Sequence, residues 1–171
     1  MRGYILTKWH ESAKILSMED LIINNGKLCN GLLKCVESGE YYEFVMENEN
    51  KQVMGHICFS LKEHERYAWL IHINTEDEFQ HLGIATILAC VMEYVAVKSG
   101  YRRVEGVYCP LNQYARAFYL KNGYTLPKQG CGWDEYDQYW RLGKNLDYAN
   151  VERRFNENVL ANVVSNKGRE I

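Results

Sequence analysis

The stretch at residues 80–85 combines residue types and spacing that could bind an anion. It reads Gln-His-Leu-Gly-Ile-Ala, and it stands between a strand-like run at residues 69–73 and apolar residues that recur at helical spacing over Ile84–Lys98. A helix N-terminus offers unpaired N–H groups and the positive end of a dipole, which favour phosphate oxygens. Gly83 has no Cβ, so the backbone there can approach a ligand closely. The pattern alone is compatible with a phosphate-binding turn or with a plain turn at a helix start, and its spacing matches neither the P-loop nor GxGxxG.

A second motif follows the predicted strand Arg103–Tyr108. It consists of an asparagine, Asn112, a short helix with the pattern Ala-x-x-Phe-Tyr at residues 115–119, and the pair Gly123-Tyr124. Together the two motifs resemble those of the GNAT family of acyl-CoA-dependent N-acetyltransferases. In that family the turn reads Gln/Arg-x-x-Gly-x-Gly/Ala, and the second motif is strand, asparagine, short helix and Gly-Tyr/Phe. The order and separation of the motifs fit, and the resemblance covers roughly residues 40–146.

The resemblance implies an α/β (α+β) fold, the GNAT fold. It has a central mixed, mostly antiparallel sheet with splayed parallel middle strands and flanking helices. The splayed strands are expected at residues 69–73 and Arg103–Tyr108, and the helix between them should form a right-handed β-α-β unit. We predict that the GNAT domain spans residues 1–146. Residues 147–171 would form a C-terminal helical extension that covers the sheet, pairs with another subunit in a homodimer, or frays.

The resemblance further implies that acetyl-CoA, the co-substrate, enters between the splayed strands. Backbone groups near Ile71 and Ile73 would hydrogen-bond its pantetheine arm as an added strand would, and turn amides would hold its pyrophosphate. Asn112 could bond the pantetheine or cap the short helix, and both roles can hold at once. The residues predicted to bind the cofactor are Ile71, Ile73, Gln80, His81, Leu82, Gly83, Ile84, Ala85, Thr86, Asn112, Arg116 and Tyr119.

The turn departs from the family pattern at two positions. Family members often have a glycine and a basic residue where this chain has His81 and Leu82. The acidic run at residues 76–78 adds negative charge nearby. We therefore expect a modest cofactor affinity, and a GNAT fold that has lost activity stays an open alternative.

Tyr119 is the predicted catalytic acid. It stands four residues before Gly123, where the family places a tyrosine that can protonate the departing CoA thiolate. The alternative is that its ring only packs. For the base that accepts the proton of the amine, His72 on the splayed strand has a suitable intrinsic pKa. Glu76 and Glu78 are alternatives, acting through water, and His72 could instead be a packed core histidine.

The resulting prediction is an N-acetyltransferase that transfers the acetyl group of acetyl-CoA directly to a primary amine. A catalytically silent GNAT-fold binding or regulatory module is the alternative. The acceptor could be a small metabolite or antibiotic amine, a protein lysine or N-terminus, or an aminoacyl-tRNA. The loop at residues 130–137 has three carboxylates and two aromatic residues, which suit a cationic acceptor or a plain solvated loop.

The composition limits the classes of protein, partner and location that fit this chain. A chain of 171 residues with 47% hydrophobic content suits one globular domain with a core. The net charge is −2, from 20 basic and 22 acidic residues, which argues against nucleic acid or a membrane surface as partner. Without an apolar run of about 20 residues or a signal-peptide pattern, we expect a cytoplasmic protein. The six cysteines form no CxxC pair, and the histidines complete no zinc spacing, so we predict reduced thiols and no metal.

Other sequence patterns predict the helices and strands outside the β-α-β unit. A short first strand is expected at residues 4–6, and two helices lie between residues 11 and 37, the second with Leu28, Leu32, Leu33 and Val36 on one face. Further strands are expected at residues 41–46, 53–61, 124–126 and 138–142.

Overall fold

Seven strands form one mixed sheet in the part of the chain that the structure describes. The structure is a computed structural model, and it describes residues 14–17, 34–38, 41–47, 50, 52–126 and 139–160. The strands are β1 Lys14–Ser17, β2 Lys34–Ser38, β3 Tyr41–Glu47, β4 Val53–Lys62, β5 Tyr67–Thr75, β6 Arg103–Tyr108 and β7 Trp140–Asn145. They lie in the sheet in this same order. Every neighbouring pair is antiparallel except β5 and β6, which run parallel.

Three α-helices accompany the sheet in the described ranges: α1 Ile84–Lys98, α2 Gln113–Lys121 and α3 Tyr148–Phe155. A short 3-10 helix, Asp77–Phe79, precedes α1, and a π-helical segment, Asn156–Leu160, continues α3. Helix α1 joins the parallel strands β5 and β6, so the β-α-β connection is confirmed, while its right-handed crossover stays a prediction. Helix α2 joins β6 to β7, which run antiparallel.

The parallel strands β5 and β6 pair over only a short stretch. The pairing joins residues 68–70 of β5 to residues 104–106 of β6. Strand β5 then continues to Thr75, and β6 continues to Tyr108, without further pairing between them. The prediction of a mixed sheet with splayed parallel middle strands and flanking helices is therefore confirmed.

A bulge in β5 lies at the point where the two parallel strands part. On the side of β5 that faces β4, Cys58 pairs with His72, but the next residue of β4 pairs with Leu70. Ile71 is therefore an extra residue without a counterpart in β4. Because a bulge bends its strand and increases the local twist, this extra residue accounts for the divergence of β5 from β6.

The hydrophobic core lies between the sheet and helix α1. Residues 87–97 of α1 are all buried, as is Ile84 at its start. The largest fully buried apolar side chains are Phe44, Phe59, Phe155, Ile57, Ile84, Leu88, Met92, Val45 and Val91. Since interiors of this kind are close-packed, the core holds the N-terminus of α1 in a fixed position beside the end of β5.

The C-terminal segment packs on α1 within the same chain. Val151, Phe155 and Val159 are buried, and the ring of Phe155 stacks on that of Tyr94 with centroids 4.0 Å apart. Their four-residue spacing is the one from which the helical extension was predicted. Residues 161–171 lie outside the described ranges. The boundary between the GNAT domain and the extension, and pairing with a second subunit, stay predictions.

The prediction of two helices at residues 11–37 is wrong for the residues of this range that the structure describes. Strands β1 and β2 lie in this range instead. All of β2 pairs with β3, and Val36, predicted on a helical face, pairs with Glu43. Pairing with neighbouring strands thus outweighs a helical spacing of apolar residues, because strand formation depends on the neighbours as much as on the local sequence.

The hairpin of β3 and β4 is confirmed. Of the strand predicted at residues 124–126, only a bridge between Thr125 and Gly143 forms. Strand β7 begins and ends later than predicted. The predictions made for residues 4–6, 28–33 and 130–137 lie outside the residues that the structure describes.

Candidate functional site

The predicted phosphate-binding turn has two residues with left-handed backbone conformations. His81 has a φ of 63° and Gly83 a φ of 81°, and Gly83 is the N-cap of α1. A Cβ at Gly83 would have no atom within 4 Å, so this side of the turn faces open space. The turn therefore presents bare backbone where a ligand could approach.

The N-terminus of α1 leaves backbone donors available at this turn. The bond from Ile87 N–H to the Gly83 carbonyl, 3.0 Å long, closes the first turn of the helix. The N–H groups of Ile84, Ala85 and Thr86 precede it and have no helical acceptor. The first turn of α1 contains no acidic residue. The amides and the helix dipole together can hold an anion here.

Gly55 of β4 lets the strand lie close to the start of α1. A Cβ at this position would stand 2.6 Å from the Asn74 carbonyl oxygen and 2.9 Å from Cγ2 of Ile84. No larger residue fits without moving the end of β5 or the first residue of the helix. Sequence reasoning missed this glycine, although a glycine inside a strand pattern is a known signal of close backbone approach.

A cavity of about 370 Å³ lies between this turn and helix α2. Six of the residues predicted to bind the cofactor line it: Gln80, His81, Gly83, Ile84, Ala85 and Thr86. Five further lining residues were not predicted: Thr75, Tyr114, Ala117, Phe118 and Lys121. The other predicted cofactor residues are not in its lining: Ile71, Ile73, Leu82, Asn112, Arg116 and Tyr119.

The residues of α2 that line the cavity share one face of the helix. Tyr114, Ala117, Phe118 and Lys121 follow the spacing of neighbours on a helix surface. That spacing was readable in the sequence and could have predicted them. Lys121 brings a positive charge to the cavity, which offsets the lack of a basic residue in the turn itself.

The acidic run at residues 76–78 belongs to a different cavity. That cavity is about 330 Å³, and Gln52, Val53 and Phe79 complete its lining. The carboxylate of Asp77 accepts a hydrogen bond of 2.8 Å from the side-chain amide of Gln80. Glu76, one of the predicted bases, accepts a 3.1 Å bond from the Asn74 amide. Glu76 therefore does not share the cavity of the turn.

Asn112 is the N-cap of α2. Its side-chain oxygen accepts a hydrogen bond of 3.0 Å from the backbone N–H of Ala115. The capping role predicted for this residue is confirmed. The binding of pantetheine by Asn112 stays a prediction, and an amide oxygen that accepts one hydrogen bond has a second lone pair.

Tyr119 lies on the buried side of α2, with 6% of its surface exposed. Its ring makes edge contacts with Phe118, Tyr108 and Tyr124, at centroid distances of 5.2, 5.9 and 5.5 Å. Burial raises the pKa of Tyr119 to about 12, so its hydroxyl keeps its proton at neutral pH. A catalytic acid needs that proton, but the enclosure also fits a packing role.

His72, the first of the three candidate bases, lies directly after the bulge, and its side chain is exposed. Its ring stacks on that of His56 in the neighbouring strand, with centroids 4.7 Å apart. Burial, followed by the nearby His72, lowers the pKa of His56, and Glu76 opposes this shift. The bulged strand thus carries an exposed imidazole next to a second one that is held neutral.

A buried ionic cluster ties α2 to the rest of the fold. The fully buried carboxylate of Glu93 on α1 accepts bonds from Lys144 (2.7 Å), Arg154 (2.6 Å) and the Tyr124 hydroxyl (3.0 Å). Arg154 also donates to the side chain of Asn122, and Lys144 donates to its carbonyl, at 2.7 and 2.8 Å. Asn122 directly follows α2, so the cluster fixes the C-terminal end of that helix. Sequence reasoning did not anticipate it.

Two cysteines of the described part of the chain have thiols with perturbed pKa values. Burial raises the pKa of both Cys58 and Cys90 to about 11, so these thiols stay protonated and are poor nucleophiles. Among the described residues, no three His, Cys, Asp or Glu side chains are grouped so that they could hold a metal ion. Likewise, none of the described helices is long and apolar enough to cross a membrane.

Comparison with known proteins identifies the class. The family model for the acetyltransferase (GNAT) family matches residues 9–124. The match covers more than half of the chain, and the protein therefore belongs to the GNAT acetyltransferase family. The resemblance predicted from the two motifs is confirmed. Among curated proteins, none matched the chain.

Solved structures of other GNAT proteins share the fold. The chain is similar to a PaiA N-acetyltransferase from Thermoplasma acidophilum in complex with coenzyme A, with a TM-score of 0.54 and 18% identity over 63% of this chain. It spans 62% of the length of that protein. A GNAT-family acetyltransferase from Staphylococcus aureus has a TM-score of 0.55 and 15% identity, with coverage of 76% of this chain and 74% of that one.

A third neighbour is the ribosomal-protein-S18-alanine N-acetyltransferase from Escherichia coli. Its TM-score is 0.54 and its identity 14%, with coverage of 65% of this chain and 72% of that one. At such identities the likeness shows a shared fold. The predicted co-substrate, acetyl-CoA, fits an acetyltransferase of this family, and the Thermoplasma relative is in complex with coenzyme A.

Proposed function

We propose that this protein is a cytoplasmic N-acetyltransferase that transfers the acetyl group of acetyl-CoA directly to a primary amine. The observation that carries the proposal is the 370 Å³ cavity between the turn and α2, which reaches Thr75 at the end of the splayed strand β5. A long, anionic cofactor with an extended arm suits such a cavity beside an opened sheet.

The cavity supplies groups for the charged part of the cofactor. The N–H groups of Ile84, Ala85 and Thr86 would hold the pyrophosphate, and Lys121 from α2 would add a positive charge opposite them. Beyond Leu70, the edge of β5 that faced β6 pairs with no other strand in the described part of the chain. Backbone groups near Ile71 and Ile73 could then bond the pantetheine as an added strand would.

Side chains of the protein would carry out two proton transfers, one to the departing sulfur and one from the amine. Acetyl-CoA supplies an acetyl thioester, so that transfer forms a C–N bond to the amine and breaks the C–S bond. Tyr119, whose raised pKa keeps its phenol protonated, would deliver its proton to the departing sulfur. His72, exposed on β5, would accept the proton of the amine, with Glu76 as the alternative base. Afterwards the base returns a proton to Tyr119 through solvent, which completes the cycle.

The alternative is a GNAT module that binds CoA but does not catalyse transfer. The observation in its favour is the enclosure of Tyr119 by Phe118, Tyr108 and Tyr124, outside the lining of the cavity. Such a module would keep the turn and Lys121 and so would still bind the cofactor.

Two measurements on the full chain test the proposal. Mass spectrometry of the purified protein under native conditions should find CoA or acetyl-CoA bound. A panel of small-molecule and peptide amines, with free thiol release as the readout, should then give turnover with at least one acceptor. CoA binding without thiol release across the panel would favour the silent module. A protein that binds no CoA at millimolar concentration would contradict both.

A further inference from the structure

We propose that Tyr114 is the stacking surface for the adenine base of the cofactor. It would therefore make the protein prefer complete coenzyme A over the pantetheine part alone. The inference rests on the proposed function, because it assigns the nucleotide end of the same ligand.

Tyr114 is an unusually open aromatic side chain. It lies in the first turn of α2, and 81% of its surface is exposed. Among the residues that the structure describes, no ring packs on it, and its hydroxyl makes no hydrogen bond to another side chain. Most of the ring surface is therefore available to a flat ligand. An exposed ring of this size favours such a contact, because stacking removes apolar surface from water.

The position of Tyr114 connects it to the proposed cofactor site. Its side chain lines the same cavity as Gly83 and the free amides at the start of α1. Lys121 lies on the same face of α2, seven residues further on. Seven residues correspond to about 10 Å along a helix axis. A base stacked at one end thus leaves space for a ribose and its phosphates before the lysine.

Phe118 is the other aromatic residue in the lining, and it is less suited to the base. It is half-buried and packs against the ring of Tyr119, with centroids 5.2 Å apart. Its ring is therefore already engaged in the protein. A purine is better accommodated by Tyr114, whose ring is largely exposed and stacks on no other ring of the described residues.

The test compares two ligands on the full-length protein: coenzyme A and 4′-phosphopantetheine, which lacks the adenine nucleotide. Isothermal titration measures the affinity for coenzyme A, and competition up to millimolar concentration measures that for phosphopantetheine. Tyr114→Ala should weaken coenzyme A binding about 5- to 150-fold, the range for loss of one base–aromatic stack. Its effect on phosphopantetheine should stay within about twofold, because the removed ring touches neither ligand's pantetheine.

Two further variants serve as controls. Tyr114→Phe keeps the ring and should bind coenzyme A like the wild type. Leu111→Ala removes an apolar side chain that is 88% exposed and close to Tyr114 in sequence, but outside the cavity lining, and should also leave the affinity unchanged. Wild-type affinity for coenzyme A in Tyr114→Ala, or an equal loss for both ligands, would overturn the inference. Absence of coenzyme A binding in the wild type would instead overturn the proposed function.

Discussion

Replacing Gly83 by aspartate should abolish CoA binding while leaving the fold largely intact. The position is the N-cap of α1 and precedes the three amides that would hold the pyrophosphate. A Cβ there meets no atom within 4 Å, so the new side chain would project into the open space of the cavity. The carboxylate would then accept hydrogen bonds from the amides and oppose the phosphates by charge.

The substitution should cost less in folding free energy than in the free energy of CoA binding. A non-glycine residue at the observed φ of 81° costs about 1–2 kcal/mol of folding free energy, which a folded domain can tolerate. A carboxylate about 4 Å from one phosphate charge costs about 4 kcal/mol at an effective permittivity of about 20. That energy corresponds to a loss of affinity of about a thousandfold. Binding should therefore fail well before the fold does.

Isothermal titration with CoA measures the loss of affinity, and thermal unfolding measures the loss of stability. Gly83→Asn is the matched control, because asparagine tolerates the left-handed conformation and has nearly the size of aspartate without its charge. We expect the asparagine variant to bind more tightly than the aspartate variant. Wild-type affinity in Gly83→Asp would move the cofactor site away from the turn, and equal affinities in the two variants would refute the electrostatic argument.

Three other perturbations follow from the geometry. Tyr119→Phe should lower turnover about 10²–10⁴-fold, mainly in kcat, if the phenol is the acid; a loss of only a few-fold would make Tyr119 a packing residue. The same substitution should also change alkaline stability. The pKa of Tyr119 is about 12 in the folded protein against 10.0 for the free side chain. The contribution of the protonated phenol to the stability of the wild type is therefore complete below about pH 10 and is lost as the pH rises towards 12. Tyr119→Phe should therefore lose less stability over that window in denaturant titrations, and an identical profile would contradict the assigned burial. Glu93→Gln should destabilise the fold by about 3–5 kcal/mol, because it leaves Lys144 and Arg154 facing a neutral group in a buried site. In a double-mutant cycle, Lys144→Met should cost clearly less in the Glu93→Gln background than in the wild type, and strict additivity would show that the buried pair is not coupled.

The parts of the site that were predicted from the sequence are those encoded locally. The turn around Gly83 and the cap at Asn112 depend on a few consecutive residues, and both stand where the motifs place them. The lining face of α2 was equally local, but none of its residues was predicted to bind the cofactor; Arg116 and Tyr119 of the same helix were predicted instead, and neither lines the cavity. The spacing of Tyr114 and Lys121 on one face would have pointed to the cavity.

The parts that were missed depend on partners far apart in the chain. Glu93 lies in a run of apolar residues, and its partners Lys144 and Arg154 are 51 and 61 residues further on. The bulge at Ile71 exists only in the register between β4 and β5. The helices predicted before residue 37 were wrong for the same reason: β2 forms by pairing with β3, which the local sequence does not show. None of these features can be recovered from the periodicity of one segment.

The buried ionic cluster also connects the C-terminal helix to the candidate acid. The family match ends at residue 124, but Lys144 and Arg154 beyond it bind Asn122 at the end of α2. The hydroxyl of Tyr124 bonds to the same carboxylate of Glu93, while its ring packs edge-on against that of Tyr119. Two cations from outside the matched region thus hold the helix that carries both the cavity lining and the phenol. Because a misplacement of about 1 Å can cost about a hundredfold in rate, this support is as relevant to catalysis as to stability.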